Sequence, residues 1–165
     1  MNEDSLVLPE LIRLESFGGD WKFYLESIYQ IFKRDFVYSQ PFYNGERIRY
    51  KRYPNNQGKE STFWHLISDG KVEEDRIPDL RRCERIPWPK PIVVNNGCPE
   101  IKIWENTRKS KTRILFWLEE KEYLVVLERR KNYLLLWTAY LTDQPHTKRK
   151  LQKEYNSYIN ANTAR

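Results

Sequence analysis

His65 is one of only two histidines in the chain, the other being His146. An imidazole titrates near pH ~6.5 and so gives and takes protons under neutral conditions. Arginines cluster on both sides of it in sequence. Arg47, Arg49, Lys51 and Arg52 make four of six consecutive residues basic, and Arg81, Arg82 and Arg85 follow within a short segment. Thr138 and Tyr140, two residues apart, carry hydroxyls at the end of an apolar run. Metal-free cleavage of RNA needs a base for the 2′-hydroxyl proton, an acid for the leaving 5′-oxygen and cations for the charged phosphorane. These residue types can supply that set. Each also has an ordinary role: a packed histidine, solvated charges, strand hydroxyls. His146 precedes a helix and is assigned no role.

Composition narrows the classes. Among 165 residues, 29 Lys and Arg stand against 23 Asp and Glu, for a formal charge of +6. Such an excess serves solubility, but its clustering next to Tyr and Trp points to nucleic acid. Arginine's fork also fits phosphate oxygens better than an ammonium does. An aromatic share of 15% argues against disorder. No apolar run approaches the ~20 residues that span a bilayer, and the N-terminal residues lack a signal-peptide pattern, so a cytoplasmic protein without membrane attachment is expected. Cys83 and Cys98 are too few for a disulfide framework or a four-sulfur zinc site. HExxH, P-loop, GxGxxG and GxSxG motifs are absent, so no metal or other cofactor is expected.

Apolar spacing from Trp21 through Tyr24, Leu25, Ile28, Ile31, Phe32 and Phe36 predicts a helix capped by Asp20. Residues 46–53 alternate as a strand with Arg47, Arg49 and Lys51 on one side. One or two helical turns are expected over 61–68, and a short helix from Asp79 to about Ile86, with Leu80 and Cys83 inward and Arg82 and Arg85 sharing a face. The proline-rich stretch 87–91 should stop it. Runs at 101–105, 112–119, 123–129 and 132–140, joined by short polar links, read as an antiparallel meander. The last is apolar without alternation and so buried on both faces. Thr138 and Tyr140 share a face if strand geometry persists. A final helix buries Leu151, Tyr155, Tyr158 and Ile159 and exposes Lys148, Arg149, Lys150 and Lys153. The expected fold is α+β: N-terminal helices packed on a four-stranded antiparallel sheet, with a C-terminal basic amphipathic helix. A single domain over 1–165 is expected, with an irregular arm at 1–19, a core at 20–142 and a helical tail at 143–165.

Three segments carry a resemblance: Thr62-Phe63-Trp64-His65-Leu66-Ile67-Ser68, Leu80-Arg81-Arg82-Cys83-Glu84-Arg85-Ile86-Pro87-Trp88 and Trp137-Thr138-Ala139-Tyr140. They resemble the motifs of the phage-associated PBECR nucleases, of the superfamily joining barnase, EndoU, the tRNA-cutting colicins and RelE. The resemblance covers about residues 60–142. It implies two N-terminal helices before a four-stranded antiparallel sheet, metal-independent RNA cleavage and, often, a toxin neutralised by an antitoxin protein. It implies His65 as general acid or base, Arg82 or Arg85 as phosphate clamp, and Thr138 and Tyr140 as the hydroxyl pair at the sheet edge. The second histidine of some members has no counterpart. Tyr140, Glu73, Lys51 or an arginine-assisted water remain open for the other proton transfer.

The expectation is thus an endoribonuclease with RNA (tRNA or mRNA) as substrate and an acidic antitoxin or immunity protein as partner. Arg47, Arg49, Lys51, Arg81, Lys148 and Arg149 are the expected nucleic-acid contacts. A non-catalytic nucleic-acid-binding module and a protein-interaction subunit are the alternatives.

Overall fold

A computed structural model describes residues 6–70 and 77–163. The helical segment after Asp20 forms because the Asp20 carboxylate accepts from the Phe23 amide at 3.1 Å, closing the first turn. Helix α1 (Trp21–Phe32) buries Tyr24, Leu25, Ile28, Tyr29 and Phe32. It passes into a π-helical stretch, Lys33–Tyr38, that buries Phe36. Trp21, expected inward, is 38% exposed. The N-terminal arm is not irregular throughout. Leu14–Phe17 forms a 3-10 turn, and the arm is tied down by Tyr24 donating to the Ile12 carbonyl and Trp88 to that of Pro9.

Strands β1 (Phe42–Tyr43) and β2 (Glu46–Arg49) form a hairpin around Asn44-Gly45. Both turn residues have positive φ, as a two-residue primed turn demands. Helix α2 (Ser61–Ile67) runs into β3 (Ser68–Asp69), which pairs with β4 (Ile77–Pro78). Helix α3 (Leu80–Glu84) is capped by Asp79. The prolines after it do not stop helical structure. Pro89 opens α4 (Pro89–Val94), where a missing amide at the first turn costs nothing. The meander follows as β5 (Ile101–Arg108), β6 (Lys111–Leu118), β7 (Tyr123–Arg129) and β8 (Leu134–Leu141). Helix α5 (Pro145–Thr163) closes the chain.

The expected four-stranded antiparallel sheet is overturned, although the α+β character is compatible with what forms. The sheet has six strands in the order β1-β2-β8-β7-β6-β5, and β2 lies parallel to β8. The cause is non-local. Ile48 turns into the core, and the β2 backbone pairs with Leu134 and Leu135 across a connection of more than eighty residues. A parallel pair needs such a crossover and leaves no local sequence signature. The strand also ends at Arg49, not Tyr53, because α2 takes over its place: the Thr62 and Ser61 amides donate to the Lys51 and Arg52 carbonyls.

The sheet is strongly curled. Arg129 on β7 reaches Glu46 on β2 and Glu105 on β5, each two strands away, at 2.8 and 2.6 Å. Tyr43 on β1 meets Phe116 on β6 edge to face. One face carries the main core, where α1, α2, α3 and α4 pack on Ile114, Phe116, Val125, Leu127, Leu134 and Leu136. The other holds Trp104, Leu115, Trp117, Leu124 and Val126 beneath Leu151, Tyr155 and Tyr158 of α5. Ile159, expected to be buried, is 37% exposed. Among the described residues no helix is long and apolar enough to cross a membrane.

Candidate functional site

Strand β8 organises the site. It is hydrogen-bonded to β2 only at its start, and α2 and α3 pack against it beyond that point. Its ladder with β7 slips once: Leu136 faces Leu127 and Thr138 faces Val126, so Trp137 is an extra residue, a bulge. Strict alternation from Leu134 and Leu136 would send Thr138 and Tyr140 into the helix-covered core. The bulge reverses them. Thr138 shares the α5-side face with Val126, and Tyr140 packs into the cluster on that face.

His65 lies on α2, whose Phe63, Leu66 and Ile67 anchor it in the core while the imidazole is half-buried at the edge. Its ring stands edge-on to Trp137, 5.2 Å between centroids. It shares a small cavity of about 70 Å³ with Lys51, Ser61, Thr62 and Trp137. Lys51 is fixed at the backbone: its amide donates to the Thr62 hydroxyl at 2.7 Å. Lys51 therefore flanks His65 although it lies outside β2.

Arg82 on α3 reaches the other end of the same stretch. Its guanidinium lies 5.7 Å from the Tyr140 ring centre. One nitrogen donates to the Ser68 carbonyl at 2.6 Å, and another is 3.5 Å from Asp69. Burial raises the Tyr140 phenol above its ordinary pKa, and Arg82 and Arg113 oppose that rise. The phenol is a stable neutral donor at neutral pH. Trp137 and Tyr140 are three residues apart on one strand, about 10 Å, so the imidazole against Trp137 and the guanidinium against Tyr140 lie at the two ends of one short stretch of backbone. Thr138 itself is buried.

Arg85 does not join them, contrary to the expected shared face. Helix α3 ends at Glu84, leaving Arg85 beyond the last turn with its own backbone geometry. Its side chain turns back to the Arg81 carbonyl and lies over Trp88. Its buried Nε has no hydrogen-bond partner, and burial lowers its pKa. Arg81 points elsewhere again, to Asp143 at 2.7 Å. Of the two clamp candidates, only Arg82 reaches β8. Glu73, the acidic alternative for the second proton transfer, lies outside the described residues.

The remaining expected contacts divide. Arg47 and Arg49 open onto a groove beside β2. Lys148 is held by Glu122, whereas Arg149 is exposed on α5. Arg113, not anticipated from the sequence, sits 4.9 Å over Trp137 and is steadied by Glu128 at 3.2 Å. Its only sequence signal is alternation with Leu115 and Trp117, which places it on the α5-side face; its neighbour across β7 and β8 depends on register. Cys83 and Cys98 are buried, and burial pushes the Cys83 thiol up to about 12, so Cys83 supplies no thiolate. Among the described residues no group of three or more His, Cys, Asp or Glu side chains is placed to hold a metal ion.

Compared with known proteins, the chain matches no family model, no curated protein and no solved structure.

Proposed function

We propose that the chain is an endoribonuclease that acts without a metal ion, in the cytoplasm, as a toxin of a toxin–antitoxin pair or a mobile element. The observation that carries this reading is the convergence on β8: His65 against Trp137, and Arg82 against Tyr140, within one short stretch of strand. The three motifs resembling PBECR nucleases lie at this same place, on α2, α3 and β8.

In the proposed reaction the 2′-oxygen attacks the adjacent phosphorus as a base takes its proton. The phosphorus–5′-oxygen bond breaks, and an acid protonates the departing oxygen. The products are a 2′,3′-cyclic phosphate and a 5′-hydroxyl. His65 takes or delivers one proton. Arg82 stabilises the phosphorane, a contribution of about 3 kcal/mol for a well-placed donor. Arg113, held by Glu128, steadies the Trp137 ring against which His65 packs. Tyr140, protonated at neutral pH like any phenol, donates a hydrogen bond to a phosphoryl oxygen or to the leaving group. Lys51, in the His65 cavity, is the other proton-transfer candidate. A tRNA or mRNA is the substrate class, and an acidic antitoxin would dock on exposed cations such as Arg149.

The test is incubation of the pure protein with total RNA in EDTA, followed by mapping of the new ends. Cyclic phosphates formed despite the chelator are expected. His65→Ala should lower cleavage about 10²–10⁴-fold with an unchanged melting temperature, because the ring is only half-buried. Cleavage at the wild-type rate by that variant removes His65 from the reaction. A non-catalytic nucleic-acid-binding module is the second reading, favoured by the burial of Thr138. It predicts salt-sensitive binding and no new ends.

A further inference from the structure

A groove of about 560 Å³ runs between the end of the π-helical stretch and β2. Three arginines (Arg47, Arg49 and Arg52) line it together with Tyr50 and Tyr133. No acidic side chain does. Among the described residues none of these arginines forms an ion pair. Each of two guanidiniums is instead placed on a ring: Arg49 is 5.5 Å from the Tyr133 centre, and Arg52 is 5.9 Å from that of Tyr50. Positively charged and aromatic, this is the kind of surface on which unpaired bases stack while their phosphates are neutralised. An acidic protein segment would need the charge but not the rings.

Its position relative to His65 is fixed by register. Arg49 faces Leu135, which lines the His65 cavity; Tyr133 lies two residues before Leu135, and Lys51 two residues after Arg49. Two residues of extended chain span about 7 Å, close to one nucleotide of an extended strand. The groove and the His65 cavity are therefore neighbours, separated by about one nucleotide step.

We infer that this groove is a second subsite for single-stranded RNA, in which Tyr133 stacks on an unpaired base one or two nucleotides from the bond at His65, while Arg49 and Arg52 hold the flanking phosphates. The placing of the cut bond rests on the ribonuclease reading; the binding does not. Recognition of this kind selects loops and single strands over duplex, whose bases are already stacked.

The experiment uses fully 2′-O-methylated oligonucleotides, which cannot undergo 2′-oxygen attack, so that binding is measured whether or not the protein cleaves RNA. Fluorescence anisotropy compares a dinucleotide with a hexanucleotide. The wild type should bind the longer one more tightly, and Tyr133→Ala should cut that length-dependent gain by roughly tenfold. Tyr133→Trp should restore it. Arg52→Gln, at an exposed position, should reduce the salt dependence for the hexamer by about 0.7 in log–log slope, the loss of one phosphate contact. No length gain in the wild type overturns the subsite. So does a gain that survives Tyr133→Ala, or one matched by an acidic peptide of equal charge, since these mark a charged surface alone. Failure of the ribonuclease reading appears separately, as intact unmodified RNA.

Discussion

On the meander side of β8 the arginines are engaged. Arg113 and Arg130 both bind the buried Glu128, Arg129 bridges Glu46 and Glu105, and Arg108 meets Glu154. On the β2 side Arg47, Arg49, Lys51 and Arg52 have no carboxylate partner among the described residues. The two groups are alike in composition and indistinguishable in a net charge. They differ in what surrounds them. In the meander a carboxylate lies within reach of each arginine: Glu128 faces Arg113 in register, Glu46 and Glu105 flank Arg129 across the curl, and Glu154 of α5 meets Arg108. At β2 the neighbouring strand offers Leu134 and Leu135, and the chain leaves the sheet at Tyr50. Positive charge in the first region holds the curled sheet; in the second it is left to a ligand.

Breaking the engaged side should cost stability. Glu128→Gln removes a carboxylate whose side chain is 2% exposed and which holds two guanidiniums. About 2–3 kcal/mol should be lost in urea unfolding, at the low end for a buried ion because Arg113 and Arg130 are partly hydrated. Arg113, released, should also stand less firmly over Trp137. If stability is unchanged, the meander cations are not structural and the contrast with β2 disappears.

A sharper comparison sets Arg129→Ala against Arg49→Gln. Arg129 is the link by which β7 reaches strands two places away on either side, and its half-exposed network should be worth about 1 kcal/mol. Arg49 is exposed and its guanidinium lies over Tyr133, so its loss should shift stability by less than about 0.5 kcal/mol. The order should reverse for RNA: Arg49→Gln weakens binding and its salt dependence, and Arg129→Ala does neither. Equal effects on both readouts would mean that the two regions are not specialised.

The same contrast explains what the sequence disclosed. Helix α1, the meander strands and α5 were legible because their apolar periodicity is local, as was the shared face of Thr138 and Tyr140. The six-stranded sheet was not, because pairing of Ile48 with Leu134 depends on contacts far apart in the chain. Nor was the bulge at Trp137, a one-residue slip that decides which face Thr138 and Tyr140 occupy. Leu80, placed inward by spacing, is 43% exposed, since five residues of helix are too few for a buried stripe. Arg85 missed the site for a related reason: three-residue spacing aligns side chains only while the helix lasts, and α3 stops one residue short. Alternation puts Arg113 on the α5-side face but says nothing of Trp137, two strands away, over which it sits.

A smaller effect than at Glu128 is expected where α3 meets the chain after β8. Arg81 donates to Asp143 at 2.7 Å, fastening α3, and with it Arg82, to the chain just after β8. The hydrogen bond from Arg81 holds the Asp143 carboxyl below its ordinary value of 3.8. A lowered acid contributes stability above its unfolded pKa and loses it as pH falls through the folded one. The contribution is thus fully present at neutral pH and disappears only below about pH 4. Both groups are solvent-exposed and screened, so Asp143→Asn should cost no more than about 0.5–1 kcal/mol at pH 7 and low salt. The difference from wild type should shrink as pH falls below 4 or as salt rises. Denaturant midpoints measured at pH 7 and pH 3 check this. A difference that persists at pH 3 would show that Asp143 acts through packing or its side-chain geometry, not through the charge it shares with Arg81.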